Sequence, residues 1–348
     1  MVSLSARERQ LAAIRHESSD RISIDAIAVE NTAALAGFLG IEIEEVIERL
    51  GLDGRIVQAN YGKELPLSAD GVSTTEWGTP GVAVPYGKAR EYPLANTEDI
   101  LEIERYAWPD PADYLFEDAA ELAHDVAGNY AVRGPYWKPL FCRVCDLFGM
   151  EEAMIRLLAS PVLFEAALQK VFEFTEEYCS RLLDACGDDM PILCLGDDFA
   201  SQRGLMISPG SWRKFLKPKY ANLFQLGKKR GKFVWFHSCG DITEVLPDLI
   251  DIGMDVWETV QLHTLPIMPE QLKREYGSYI TFFGGINTQR LPFCTPQDVE
   301  REVKSTIRIL GENGGYICGP DHHIKPDVPP ENTVALFDTA ASFHYDAP

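Results

Sequence analysis

Short apolar runs recur along most of the chain and alternate with stretches whose apolar positions repeat at helical spacing. Ser5 can cap a helix running to about His16, and ISIDAIAV over 22–29 then reads as a strand ending at acidic Glu30. Helices over 31–39 and 42–50 and a short strand at RIVQAN (55–60) follow. From Asp70 to Pro93 the text is rich in Gly, Thr and Val with turn signals between short runs, which predicts a β-hairpin laid over the rest as a cap. Beyond it the pattern becomes regular. Strands are predicted at 129–134, 190–198, 232–237, 254–259, 279–285 and 314–319, separated by helices over 146–157, 161–187, 209–230, 241–252, 269–275 and 296–310.

Each of these strands is nearly continuously apolar, as a parallel strand covered on both faces must be. With the two N-terminal strands they make about eight, alternating with helices. The pattern therefore predicts an α/β fold, a (β/α)8 barrel of the TIM type with an N-terminal helical extension and a β-hairpin cap. A doubly wound open sheet is the alternative. No repeat or low-complexity linker interrupts the chain, so residues 1–348 are expected to form one domain, with 1–95 integrated into it.

Composition narrows the function. The chain has 46% hydrophobic and 24% charged residues, enough to bury a sizeable core. Its 53 Asp and Glu against 32 Lys and Arg give a formal charge of -21, which repels nucleic acid and anionic lipid surfaces. No apolar run approaches a membrane span, and the first twenty residues are charged and amphipathic, so a cytoplasmic location is expected. The assembly state stays open, with a homodimer admitted. Eight scattered cysteines do not form a disulfide framework and suit buried thiols with a minority serving a metal.

In a parallel barrel the chemistry collects where strands end, at the C-terminal face. The polar residues there are Asp197 and Asp198, His237 and Cys239, Glu258 and Gln261, Asn287 and Gln289, and Cys318, Asp321, His322 and His323. His237 and Cys239 are two apart, so in an extended segment both point to one side and can grip one ion, imidazole with thiolate being a usual zinc pairing. The alternative is a buried cysteine beside a capping histidine. The loop CGPDHH can supply a third ligand from Cys318 or His322, and Glu258 can serve as a labile fourth. Cys142 and Cys145 form an isolated CxxC, read either as a redox or metal pair or as buried thiols. Asp197 and Asp198 with Gln202 can orient a substrate, or Asp197 can cap a turn. His16, His124, His263 and His344 have no partner pattern and are expected at the surface or in packing.

Four blocks carry a family resemblance: GDDFASQRGLMISPGSWRKFLKPKY, FHSCGDITEVLPDLIDIGMDVWETVQ, FFGGINTQRL and GPDHHIKPDVPPEN. They resemble successive signatures of the uroporphyrinogen decarboxylase superfamily. That superfamily also contains zinc-dependent corrinoid methyltransferases, among them methylcobalamin:coenzyme M methyltransferases and O-demethylase components. The similarity runs from about residue 5 to 345 and implies a TIM-type barrel.

The decarboxylase branch has an N-terminal arginine-rich motif that holds substrate carboxylates, and RERQLAAIRHESSDRISIDA here lacks it. The resemblance to the methyltransferase branch implies zinc at His237 and Cys239, with the third ligand at His322 by position and Cys318 as its rival. It further implies a corrinoid (cobalamin) on a partner protein that docks at the barrel mouth, and zinc acting as a Lewis acid on the heteroatom that carries or receives methyl. An O-methylated donor, aromatic in view of Tyr136, Trp137, Phe141, Phe148, Phe199 and Trp257, is the preferred small-molecule substrate, contacted by Asp198 and Gln202. A thiol acceptor and porphyrinogen decarboxylation are the alternatives.

Overall fold

A computed structural model of the chain describes residues 3–65, 74–79 and 92–343. Eight strands form one sheet: β1 (Ser23–Ile24), β2 (Gly54–Ile56), β3 (Ala131–Pro135), β4 (Ile192–Gly196), β5 (Phe233–His237), β6 (Val256–Val260), β7 (Thr281–Ile286) and β8 (Tyr316–Pro320). All neighbours are parallel, in the order β1-β8-β7-β6-β5-β4-β3-β2. The two ends of that order meet at Asp53. Its backbone N–H donates to the Ile24 carbonyl at 2.8 Å, and its carboxylate accepts the Ile24 N–H at 3.0 Å. The sheet is thus a nearly closed barrel, and every predicted strand overlaps an observed one.

Alternation along the strands sorts side chains into two clusters. Ala131, Ile192, Cys194, Trp235, Val256, Phe283 and Ile317 fill the barrel interior. Their chain neighbours Val132, Leu193, Leu195, Val234, Phe236, Trp257, Phe282 and Cys318 pack outward against the helices. Both faces are buried, which is why the strand sequences read as unbroken apolar runs.

Helix α1 (Ala6–Ile14) begins in a capping box: the Ser5 side chain accepts the Glu8 N–H, and Glu8 returns the bond to the Ser5 backbone. Its Leu11, Ala13 and Ile14 join the interior cluster and plug the end of the barrel at which the strands start. The outer layer comprises α2 (Thr32–Leu39), α3 (Phe116–Ala127), α4 (Phe141–Phe148), α5 (Met150–Ala159), α6 (Pro161–Cys186), α7 (Lys217–Lys228), α8 (Leu246–Asp251), α9 (Pro269–Tyr276), α10 (Pro296–Leu310) and α11 (Pro330–Ala341). Among the described residues no helix is long and apolar enough to cross a membrane.

Four helix predictions change. The one expected over 42–50 is a 3-10 turn at Ile43–Glu45 running into one short helical turn at Val46–Arg49. The helix expected over 146–157 is two helices, broken where Gly149 takes φ +88°. The one expected over 209–230 holds a widened turn at Trp212–Leu216 before α7, since Pro218 has no N–H to give to the preceding turn. The one expected over 241–252 is helical only from Leu246, because the Asp241 side chain ties up the Thr243 N–H in a local turn. The hairpin cap expected over 70–93 falls largely on 70–73 and 80–91, outside the described residues.

Inside the barrel, Arg133 of β3 pairs with Asp25 at 2.5 Å, both almost fully buried, and Gln10 of α1 adds a bond to the same Asp25 oxygen at 2.6 Å. Gly54 makes room for this pair. A Cβ there would stand 2.1 Å from Asp25 Oδ2 and 2.2 Å from Arg133 Nη1. Gly54→Ala is therefore expected to cost on the order of 3 kcal/mol, by crowding a site where a broken pair leaves a buried charge. Chemical denaturation of the variant checks this, and an unchanged midpoint would show that the interior can yield.

Candidate metal centre at the barrel mouth

His237 is the last residue of β5. The parallel register sets Gly196 of β4 on one side of it and Glu258 of β6 on the other. Residues at one level of a parallel ladder point the same way, so Glu258 and His237 both face the interior, two places beyond inward-facing Trp235. Gly196 contributes no side chain. Trp137 occupies that space, and a Cβ on Gly196 would lie 2.9 Å from its ring. The rings of Trp137 and Tyr136 meet His237 edge-on, with centroids 5.6 and 5.8 Å away.

The same register brings Asp198, two residues past Gly196, to Cys239, two past His237. The Cys239 N–H donates to Asp198 Oδ1 at 2.8 Å. Asp198 Oδ1 is 3.6 Å from His237 Nε2, and Cys239 Sγ is 3.5 Å from the same nitrogen. One ligand atom from each of Asp198, His237 and Cys239 lies within 4.8 Å of the other two. Behind the imidazole, Nδ1 sits 2.8 Å from Glu258 Oε1, while the other Glu258 oxygen accepts the indole N–H of Trp235. With Nδ1 held by Glu258, Nε2 is turned toward Cys239 and Asp198, where it would offer its lone pair to an ion that displaces its proton.

The electrostatics fit this arrangement. Burial raises Glu258, but its bonds with His237 and Trp235 and the nearby charge of Arg133 outweigh it and hold the carboxyl below its ordinary range. Burial lowers His237, and the neighbouring Tyr136, Cys239 and Asp198, which become negative on ionisation, overcome it and raise the imidazole well above 6.5. His322 goes the other way, to about 4, through burial and then the positive charge of His237 and His323. It stands as a neutral imidazole with its ring centroid 6.3 Å from that of His237. A cavity of about 630 Å³ opens here, lined by Cys239, His322, Gln202, Gln289, Met206 and Phe293 among others.

The structure sorts the expected site residues. His237, Cys239 and Asp198 converge, His322 shares the cavity wall with Cys239, and Gln202 lines the same cavity. Asp198, expected as a substrate contact, stands among the donor atoms. Glu258 lies behind His237, its oxygens taken by Nδ1 and the Trp235 N–H, so it orients the imidazole instead of closing the ligand set. Cys318 points outward into the helix layer, opposite to inward-facing Ile317, and burial lifts its thiol to about 12. Of the six aromatics expected near the mouth, Tyr136 and Trp137 face His237, while Phe141, Phe148, Phe199 and Trp257 are buried in the outer cluster.

Asp197 points the other way from Asp198. Its carboxylate accepts the N–H groups of Leu140, Phe141 and Cys142 at 3.1, 2.6 and 2.9 Å, together with the Tyr220 hydroxyl. It caps α4, not the turn that follows it. The CxxC lies on α4, where burial raises Cys142 and Cys145 strongly, as it raises Cys179, Cys186, Cys194 and Cys294. Sequence reading passed over Trp235 as a site residue. Its signal is its place two residues before His237 on a strand, hence on the same face.

The profile of the family described as Uroporphyrinogen decarboxylase (URO-D) matches residues 81–343. A curated uroporphyrinogen decarboxylase from Geotalea daltonii is 24% identical over 273 residues, 74% of each chain. One from Vesicomyosocius okutanii is 35% identical over 92 residues, 26% of this chain and 24% of the relative. Among solved structures, a methyltransferase from Methanosarcina mazei superposes with a TM-score of 0.64 at 18% identity, covering 97% of this chain and 98% of that one. The last likeness is one of fold. With the profile spanning most of the chain, this protein belongs to the uroporphyrinogen decarboxylase (URO-D) family.

Proposed function

We propose that the chain is a zinc-dependent methyltransferase, moving a methyl group between a small, largely apolar O-methylated compound and the cobalt of a corrinoid carried by a partner protein. The observation that carries this reading is the donor set. Ligand atoms about 2.0–2.3 Å from a tetrahedral zinc stand about 3.3–3.8 Å apart. The separations of His237 Nε2 from Cys239 Sγ and from Asp198 Oδ1, 3.5 and 3.6 Å, already match. When bound, zinc supplies Lewis acidity to the heteroatom that carries or receives the methyl group.

The chain's own residues do the rest. Glu258 fixes the His237 tautomer, and Asp198 holds the Cys239 backbone. Gln261 accepts the Gly240 N–H at 2.8 Å, which pins the loop after Cys239. Neutral His322 offers a second nitrogen donor or a hydrogen-bond partner at the cavity wall. Gln202 and Gln289 offer amides to a polar substituent, while Met150, Met206, Pro292 and Phe293 exclude water from an apolar body.

The names of the curated relatives favour a second reading, porphyrinogen decarboxylation. Against it stands the charge of the cavity wall. Among the described lining residues Lys325 is the one permanent cation, and it is already paired with Glu30 at 2.8 Å. A polycarboxylate substrate calls for several such cations, arginines above all.

Metal analysis separates the two. Purified protein is expected to hold about one zinc per chain, and Cys239→Ala to weaken zinc binding on the order of 100-fold. His322→Ala retaining full zinc would remove His322 from the ligand set. The wild-type protein should demethylate O-methylated compounds when supplied with a reduced corrinoid protein, whereas zinc-free protein releasing carbon dioxide from a porphyrinogen would overturn the reading. Zinc binding must also displace protons from the Cys239 thiol and from a His237 imidazole whose pKa is raised. Affinity is therefore expected to fall as the pH is lowered from about 8 to about 6, followed by competition with a chromophoric chelator. A dissociation constant unchanged over that window would contradict metal binding at these two residues.

A further inference from the structure

The imidazole of His237 is backed by more than Glu258. The guanidinium of Arg133 lies over the Trp235 ring, 4.8 Å from its centroid. It is held there by Asp25 at 2.5 Å and by the Ala26 carbonyl at 3.3 Å. Arg133, Trp235 and Glu258 are all essentially inaccessible to solvent. The indole N–H of Trp235 points to the Glu258 oxygen that His237 does not use. A cation over an indole face draws electron density from the ring and makes its N–H a better donor, and the effect is largest where water cannot screen it.

We infer that Trp235, polarised by Arg133, is a positioning residue for the metal: its N–H anchors the Glu258 carboxylate so that the other oxygen holds His237 Nδ1 and directs Nε2 at the ion. This rests on the zinc reading above. The geometry gives the carboxylate two fixed donors on two fixed oxygens, which leaves it no freedom to rotate away from the imidazole. Without the indole N–H, Glu258 keeps a buried oxygen unpaired, and the carboxylate can turn to seek another donor. The orientation of His237 loosens with it, although no ligand has been touched.

The test measures zinc affinity by chelator competition and records the visible spectrum of the cobalt(II)-substituted protein, which reports ligand geometry independently of turnover. Trp235→Phe is expected to weaken zinc binding about 10-fold or more and to change the intensity of the cobalt bands. Glu258→Gln should weaken it as well, and adding Trp235→Phe in that background should cost little further, because Trp235 acts through Glu258. Should the smaller phenylalanine perturb folding, replacing the indole of Trp235 by benzothiophene keeps the shape and removes only the N–H, and the same loss is expected. Unchanged affinity and spectrum in the benzothiophene variant, or a Trp235→Phe loss that is just as large with Glu258→Gln in place, overturns the inference. Those outcomes leave the zinc reading standing, whereas a wild-type chain that binds no zinc overturns both.

Discussion

The hydrogen bond from His237 Nδ1 to Glu258 is the contact on which the barrel mouth depends. A buried imidazole has two nitrogens and a ring free to turn about its last torsion, and only one arrangement serves a ligand set. The bond chooses it. A buried carboxylate opposite would in turn be costly if it stood alone. It is tolerated because the imidazole, the Trp235 N–H and the charge of Arg133 all favour its ionised form. Arg133 needs Asp25, and that pair needs the missing side chain of Gly54. Charges thus run through an otherwise apolar interior in an unbroken sequence of partners, each tolerable because of the next.

A barrel of this kind leaves the choice of chemistry to a few side chains, even within a family whose curated relatives are named decarboxylases. The barrel fixes where strand ends lie, and the residues at those ends decide the reaction. Asp197 and Asp198 show how finely the work divides. Adjacent in sequence at the end of β4, they leave the strand on opposite faces, one to cap α4 and the other to meet Cys239. Exchanging their roles would need a shift of one residue in register, which the interior packing of β4 against β5 forbids.

Most of the architecture was legible in the sequence. Strands covered on both faces give runs such as ILCLG and FVWFH that admit little else, and the Ser5 box marks the start of α1 in plain text. What could not be read followed from register and direction. Cys318 stands as a rival to the positionally favoured His322 because its thiol would suit zinc equally well, and only the alternation at β8 shows that the thiol faces the helices. Glu258 looked like a ligand because carboxylates at strand ends often are, yet its place level with His237 puts it against Nδ1, the wrong nitrogen for that role. The break at Gly149 was hidden because helical spacing continues across it, while its φ does not.

The burial of the thiols has a practical consequence for chemistry done on the protein. Seven of the eight cysteines have pKa values raised by burial, so at neutral pH they present scarcely any thiolate to an alkylating reagent. Cys239, partly buried, stands on the cavity wall. A reagent small enough to enter the cavity therefore meets on its described wall a single sulfhydryl, that of Cys239, and it is the same sulfur that would grip the ion.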